Sequence, residues 1–119
     1  MNQNDKLRLI DAGMNVDDAL QRFMNNEAIL EKFMKKFLED PSYDKLKNAV
    51  EEKNLEEAFS ASHTLKGVAA NFSFEALQNS SSEQCELFRA GNLEDGIAKM
   101  AEVTAAYDKI KNEIIAIFG

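Results

Sequence analysis

A single proline, Pro41, in a chain of 119 residues is the strongest limit on what this sequence can fold into. Proline and glycine supply the breaks and tight turns that an all-β chain needs every few residues, and only five glycines accompany Pro41. Between these breakers the pattern is helical almost throughout. Ile29, Leu30, Phe33, Met34, Phe37 and Leu38 recur at three- and four-residue spacing, which lines one face of an α-helix. Alanine, leucine, lysine and glutamate dominate the rest, and all four favour helix.

The pattern predicts a succession of helices. A short one runs from about Asp17 to Met24, capped by Asn15 or Asp17, and a second from near Asn26 to Leu38. Asp40-Pro41-Ser42 ends the second, because proline lacks an N–H and disfavours helix in the residue before it. Ser42 to about Lys53 is the next helix. Asn54 caps a central helix that runs to about Phe72, and Phe72-Ser73-Phe74 is a turn. Glu75 to Ala90 follows, with Gly91 as its C-terminal cap. One last helix opens at Asn92 or Leu93 and carries Ile97, Met100, Val103, Tyr107, Ile110, Ile114, Ile117 and Phe118. Residues 1–11 are a tail or a short extra helix, and residues 12–119 form the domain. Helices joined by short turns pack most naturally up and down. The expected fold is all-α: an antiparallel four-helix bundle with one or two additional short N-terminal helices.

Charge narrows the partners. The formal net charge is −7, so the surface repels phosphate backbones and anionic lipid heads, and neither nucleic acid nor membrane is expected as a partner. No apolar run approaches the roughly 20 residues of a membrane span. Met1 is followed by the polar Asn2-Gln3-Asn4-Asp5 and not by the apolar stretch of a signal peptide. Cys85 is alone, so it has no partner for a disulfide within the chain and no set of cysteines for zinc. A cytoplasmic, monomeric and free-standing domain is expected.

The chemistry-bearing stretch is His63-Thr64-Leu65-Lys66-Gly67, which holds the only histidine. At about 100° per residue, with His63 set at zero, Leu65 falls near 200°, Ala58 near 220°, Ala69 near 240° and Phe72 near 180°. The apolar side is therefore opposite the imidazole. Glu56, Phe59, Ser60, Lys66, Gly67 and Ala70 lie within about 60° of it. This rules out a core histidine and leaves an exposed one. Gly67 and Ala70 are bare, so another protein can come close to the ring. A glycine inside a helix costs about 1 kcal/mol against alanine, which asks for a reason. A phosphohistidine would carry roughly two negative charges, and a lysine three residues on can reach it. Transfer also needs a neutral imidazole with one ring nitrogen free, and an ordinary imidazole is largely neutral near pH 7.

With Ala61-Ser62 before it, this stretch resembles the His-x-x-Lys-Gly signature of the HPt (histidine-containing phosphotransfer) domain family. The likeness continues through Ala69, Ala70 and Asn71, Leu77, and Arg89-Ala90-Gly91. Upstream it includes the stretch from Ala12 to Asp17 and the stretch from Phe33 to Asp40. The resemblance implies an antiparallel four-helix bundle that carries a phosphoryl group on Nε2 of His63. It implies exchange with an aspartate of a response-regulator receiver domain, or work beside a hybrid sensor kinase. Lys66 would steady the phosphoryl oxygens and Gly67 would make room. The receiver would bring Mg²⁺, so no cofactor or metal is expected on the domain itself, nor any independent kinase activity. Four positions depart from the family pattern. Ser73 stands where the turn usually has glycine, Ser80 and Gln84 where the next helix usually has leucine, and Cys85 where a glutamate or glutamine usually approaches the histidine. Buried hydroxyls and amides destabilise unless paired, so a loose or shifted helix is expected there.

Other readings are weaker on the residues. A non-phosphorylated adaptor that binds receivers or other signalling proteins would suit a chain lacking the histidine or the lysine, and both are present. A di-iron bundle needs Glu-x-x-His pairs, and position 60 is serine. The carboxylate pairs Glu51-Glu52 and Glu56-Glu57 are adjacent in sequence, so they splay apart on a helix and form no acid–base pair.

Overall fold

Five asparagines mark where helices begin. In the structure, a computed structural model describing residues 1–119, Asn2, Asn15, Asn26, Asn54 and Asn92 each accept the backbone N–H three residues on, at 2.8–3.3 Å. Each satisfies one of the donors that a helix start leaves unpaired. The helices they open are α1 (Gln3–Asp11), α2 (Val16–Arg22), α3 (Glu27–Phe37), α5 (Leu55–Asn71) and α7 (Leu93–Ala98). Pro41, Phe74 and Lys99 stand before the other three, α4 (Ser42–Glu51), α6 (Glu75–Arg89) and α8 (Met100–Phe118). The chain is all-α, and no helix is long and apolar enough to cross a membrane.

Four of these segments close a ring. α4 packs on α5, α5 on α6, α6 on α7 and α8, and α8 returns to α4. Three-residue turns join the first three segments, so neighbours run antiparallel and the ring is an up-and-down bundle. α3 lies against α8, and the two short helices α1 and α2 precede it. Leu30, Met34, Leu46, Leu65, Leu77, Val103, Ile110 and Ile114 fill the interior. Phe37 joins α3 to the core edge-on against Phe74 at 5.0 Å and beside Tyr107 at 5.8 Å. Tyr43 and Tyr107 stack at 3.9 Å and tie α4 to α8. Burial pushes the Tyr107 hydroxyl up to about 12.

The last helix differs from the single rod its periodicity predicts. It is broken at Lys99 into α7 and α8. Gln84, fully buried on α6, donates from Nε2 to the Gly96 carbonyl at 3.0 Å and to Met100 Sδ at 3.4 Å. No backbone bond runs from Met100 N–H to Gly96 or from Ala101 N–H to Ile97. A side chain inserted into the helical ladder is an ordinary cause of a kink. Gly96 also lets the Phe88 ring of α6 pack against this segment, because a Cβ there would stand 2.2 Å from Phe88 Cε1.

Nor is α6 loose. It is helical without interruption from Glu75 to Arg89. Ser81 Oγ donates to Leu77 O at 2.6 Å, and Ser80 Oγ to the same carbonyl at 3.2 Å. The hydroxyls bond within their own helix, so they are buried without the penalty of an unmade bond.

The turn between α5 and α6 is held from outside. Ser73 takes a left-handed backbone, φ 54°, which a residue with a Cβ adopts at a cost. Its Oγ donates to the Asp18 carboxylate on α2. Asn15 N–H donates to Ser73 O at 2.8 Å, and Ala76 N–H to Gly13 O at 3.2 Å. Gly13 itself has φ 95°, and a Cβ there would lie 2.5 Å from that of Ala76.

Two tests follow from this packing. Gly96→Ala should lower the unfolding free energy by about 1–3 kcal/mol in urea denaturation, because overpacking against the buried Phe88 ring outweighs alanine's helix preference. The Ser73 hydroxyl, and then Arg22, hold the Asp18 carboxyl below its ordinary 3.8. A lowered folded value adds stability above pH 3.8 that is lost as pH falls further. Asp18→Asn should therefore show a shallower loss of stability between about pH 5 and pH 3 than the parent chain, measured by denaturation at each pH.

Candidate functional site

α5 is the best-embedded helix of the bundle, flanked by α4 on one side and α6 on the other. Its buried residues are Ala58, Ala61, Ser62, Leu65 and Ala69. Four of the five are small, so the neighbouring helices come close. Ser62 Oγ donates to Phe59 O at 2.9 Å and so needs no partner from another helix. These residues span an arc from about 160° to 260° on the wheel that has His63 at zero. The face with His63 therefore points to solvent, and His63 is exposed as that geometry predicts.

Around the imidazole the structure places the residues singled out in the sequence as follows. Glu56, Ser60 and Gly67 are exposed, and Phe59, Lys66 and Ala70 are half-buried. The His63 and Phe59 rings lie 6.2 Å apart at 29°, one helical turn from each other. Lys66 forms no ion pair, unlike Lys99, which holds both Glu83 and Glu102. The ammonium at position 66 thus has no carboxylate of this chain to neutralise it. A Cβ on Gly67 would meet nothing within 4 Å. Packing inside the chain gives no reason for this glycine, which separates it from Gly96.

Sequence reasoning assigned no role to Arg89, yet it belongs to this surface. Its guanidinium sits 5.1 Å over the Phe59 ring and is held by Glu86 at 3.1 Å. The antiparallel course of α5 and α6 brings the end of α6 beside the start of α5. Reading that neighbour from sequence required the register of two helices. Neither of the other α6 residues considered forms a hydrogen bond with His63. Cys85 is fully buried, and Gln84 is buried with its amide on the Gly96 carbonyl, away from α5.

An exposed imidazole with a free cation one turn away can accept an electrophilic group and balance its negative charge. The family model for the Hpt domain matches residues 28–113 of the 119. No curated protein and no solved structure matches the chain.

Gly67 offers a direct check on the packing. Gly67→Ala should raise the unfolding free energy by about 0.5–1 kcal/mol in denaturant titration, since alanine favours helix and nothing crowds its methyl. A loss of stability would show instead that the glycine serves the fold.

Proposed function

The chain belongs to the Hpt domain family, whose members are phosphocarriers of phosphorelays, and on that premise we propose that His63 exchanges a phosphoryl group with an aspartate of a response-regulator receiver domain. The observation that carries this reading is the exposed His63 with an unpaired Lys66 beside it and open space at Gly67.

In the proposed step, Nε2 of His63 attacks the phosphorus of the receiver's aspartyl phosphate. A P–N bond forms, the P–O bond to the carboxylate breaks, and the aspartate leaves with the electron pair. Lys66 meets the phosphoryl oxygens as a point charge. Gly67 lets the receiver's loops come within reach of the ring. The receiver supplies Mg²⁺ and the remaining charge compensation, so this chain contributes the nucleophile, one cation and shape. That division suits phosphoryl transfer, in which positioning and charge neutralisation supply most of the catalysis. The reverse step returns the group to an aspartate, and the domain needs no kinase activity of its own.

Mixing the protein with a phosphorylated receiver domain and Mg²⁺ should produce an acid-labile, base-stable label. His63→Gln should abolish it, and a label that persists in that variant would sink the assignment. Lys66→Ala should slow transfer by roughly 10- to 100-fold, the worth of one hydrogen bond to a charged group. Gly67→Ala should also slow it even though the variant is the more stable protein. Failure of every receiver from the same genome to label the chain would favour an adaptor that binds without transfer.

A further inference from the structure

α1 carries apolar residues on both of its faces. Leu9 is fully buried, but Leu7 and Ile10 are 54% and 49% exposed on the outer side. They are three residues apart, so their side chains are neighbours on the helix surface. Ile10 is also one wall of a cavity of about 340 Å³, which lies where the α1–α2 turn meets the α5–α6 turn. Gly13, Met14, Val16 and Ala76 line it as well. Met14 and Val16 are buried and form its floor. Its two sides are tied together, because Ala76 N–H donates to Gly13 O at 3.2 Å and Asn15 N–H to Ser73 O at 2.8 Å. The cavity is thus built into the fold before any partner arrives, and a preformed surface loses less order on binding.

This surface is separate from the histidine face. α1 packs on α8 and α2, and α8 stands across the ring from α5. His63 is eight residues before the end of α5, about 12 Å along the axis, and the cavity lies beyond that end. Charge selects the occupant. Asp17 and Glu75 line the cavity, and no lysine or arginine does. Asp11, next to Ile10, is exposed, as is Asp17. The two cations nearby are already engaged, Lys6 with Asp17 at 3.1 Å and Lys109 with Asp11 at 4.0 Å. The whole chain carries a net −7. A second copy is a poor fit, because a two-fold contact would set this acidic rim against itself.

We propose that the outer face of α1 and the cavity below Ile10 form a docking groove for a basic amphipathic helix of a partner protein. Such helices lay an apolar face into a groove and anchor it at one-turn intervals. From Leu7 to Gly13 is six residues, about 9 Å, so two turns of a partner helix cover the groove. One apolar side chain enters the cavity over Met14 and Val16, and a second packs on Leu7. Lysines or arginines beside them meet Asp11, Asp17 and Glu75. The proposal does not depend on phosphotransfer. It leaves the imidazole open, so the domain can hold one protein at α1 while another approaches His63.

The probe is a synthetic amphipathic helix of leucine and lysine, with a leucine–glutamate peptide of the same pattern as its control. Each is titrated into the full ¹⁵N-labelled chain. The lysine peptide should shift the backbone amides of Leu7, Ile10, Gly13 and Ala76, and the glutamate peptide should not. Leu7→Ser combined with Ile10→Ser should weaken the lysine peptide tenfold or more. Both positions are exposed, so thermal unfolding should show the fold intact. Glu75→Lys, which keeps the apolar face, should weaken it several-fold and lessen its dependence on salt. Phosphoramidate should still label His63 at saturating peptide. Shifts centred on His63, or on Ile29 and Phe33, would overturn the groove, as would equal affinity of the double variant. Equal binding of the glutamate peptide would overturn the basic partner. A homodimer that the double variant dissociates would show that a second copy occupies the groove, and would overturn the proposal.

Discussion

The burial of one face of α5 governs the rest of the molecule. Ala58, Ala61, Ser62, Leu65 and Ala69 are small enough for α4 and α6 to approach on both sides, and Leu65 is fully enclosed. Tight packing leaves a helix little freedom to rotate about its axis. Once those five residues are inside, His63 is directed outward without any bond to hold it there. The same rotation sets Phe59 beneath the imidazole, lines Gly67 and Asn71 into one ridge, and turns Phe72 toward Phe23 and Phe37. The site is therefore a by-product of core packing, and substitutions on the hidden side of α5 can move it.

The parts of the structure legible in sequence are those decided within one helix. The 3-4 apolar spacing of α3, the break at Pro41, the cap at Asn54 and the outward direction of His63 all depend on residues at most a few positions apart. What escaped that reading depends on two helices at once. The break at Lys99 lies where Gln84 from α6 bonds the Gly96 carbonyl, and the pattern from Leu93 to Phe118 contains no sign of it. The Arg89–Phe59 contact requires the register of α5 against α6. The positive φ at Ser73 is supported by Asp18, fifty-five positions away in sequence.

Polar residues inside the bundle show how such cases resolve. Ser80, where the family pattern has leucine, and its neighbour Ser81 are both buried, and both find acceptors in their own helix. Gln84 cannot do so. Its Nε2 takes a carbonyl from the neighbouring helix, and its Oε1 is left without a partner. The amide thus occupies a carbonyl at the break in the last helix and still carries an unmet acceptor. Leucine at this position would remove the unpaired atom and also the side-chain bond to the Gly96 carbonyl.

The clasp on the α5–α6 turn bears on how this domain should be delimited. The family match begins at residue 28, but Gly13, Asn15 and Asp18 provide the hydrogen bonds that hold Ser73 and Ala76 in place. Leu9, Ala12, Met14, Val16 and Ala19 are buried with the rest of the core. The stretch that carries the shared ancestry is thus shorter than the stretch that folds. Excised at the boundary drawn by kinship, the bundle would lose the outer brace of the turn that ends its histidine helix.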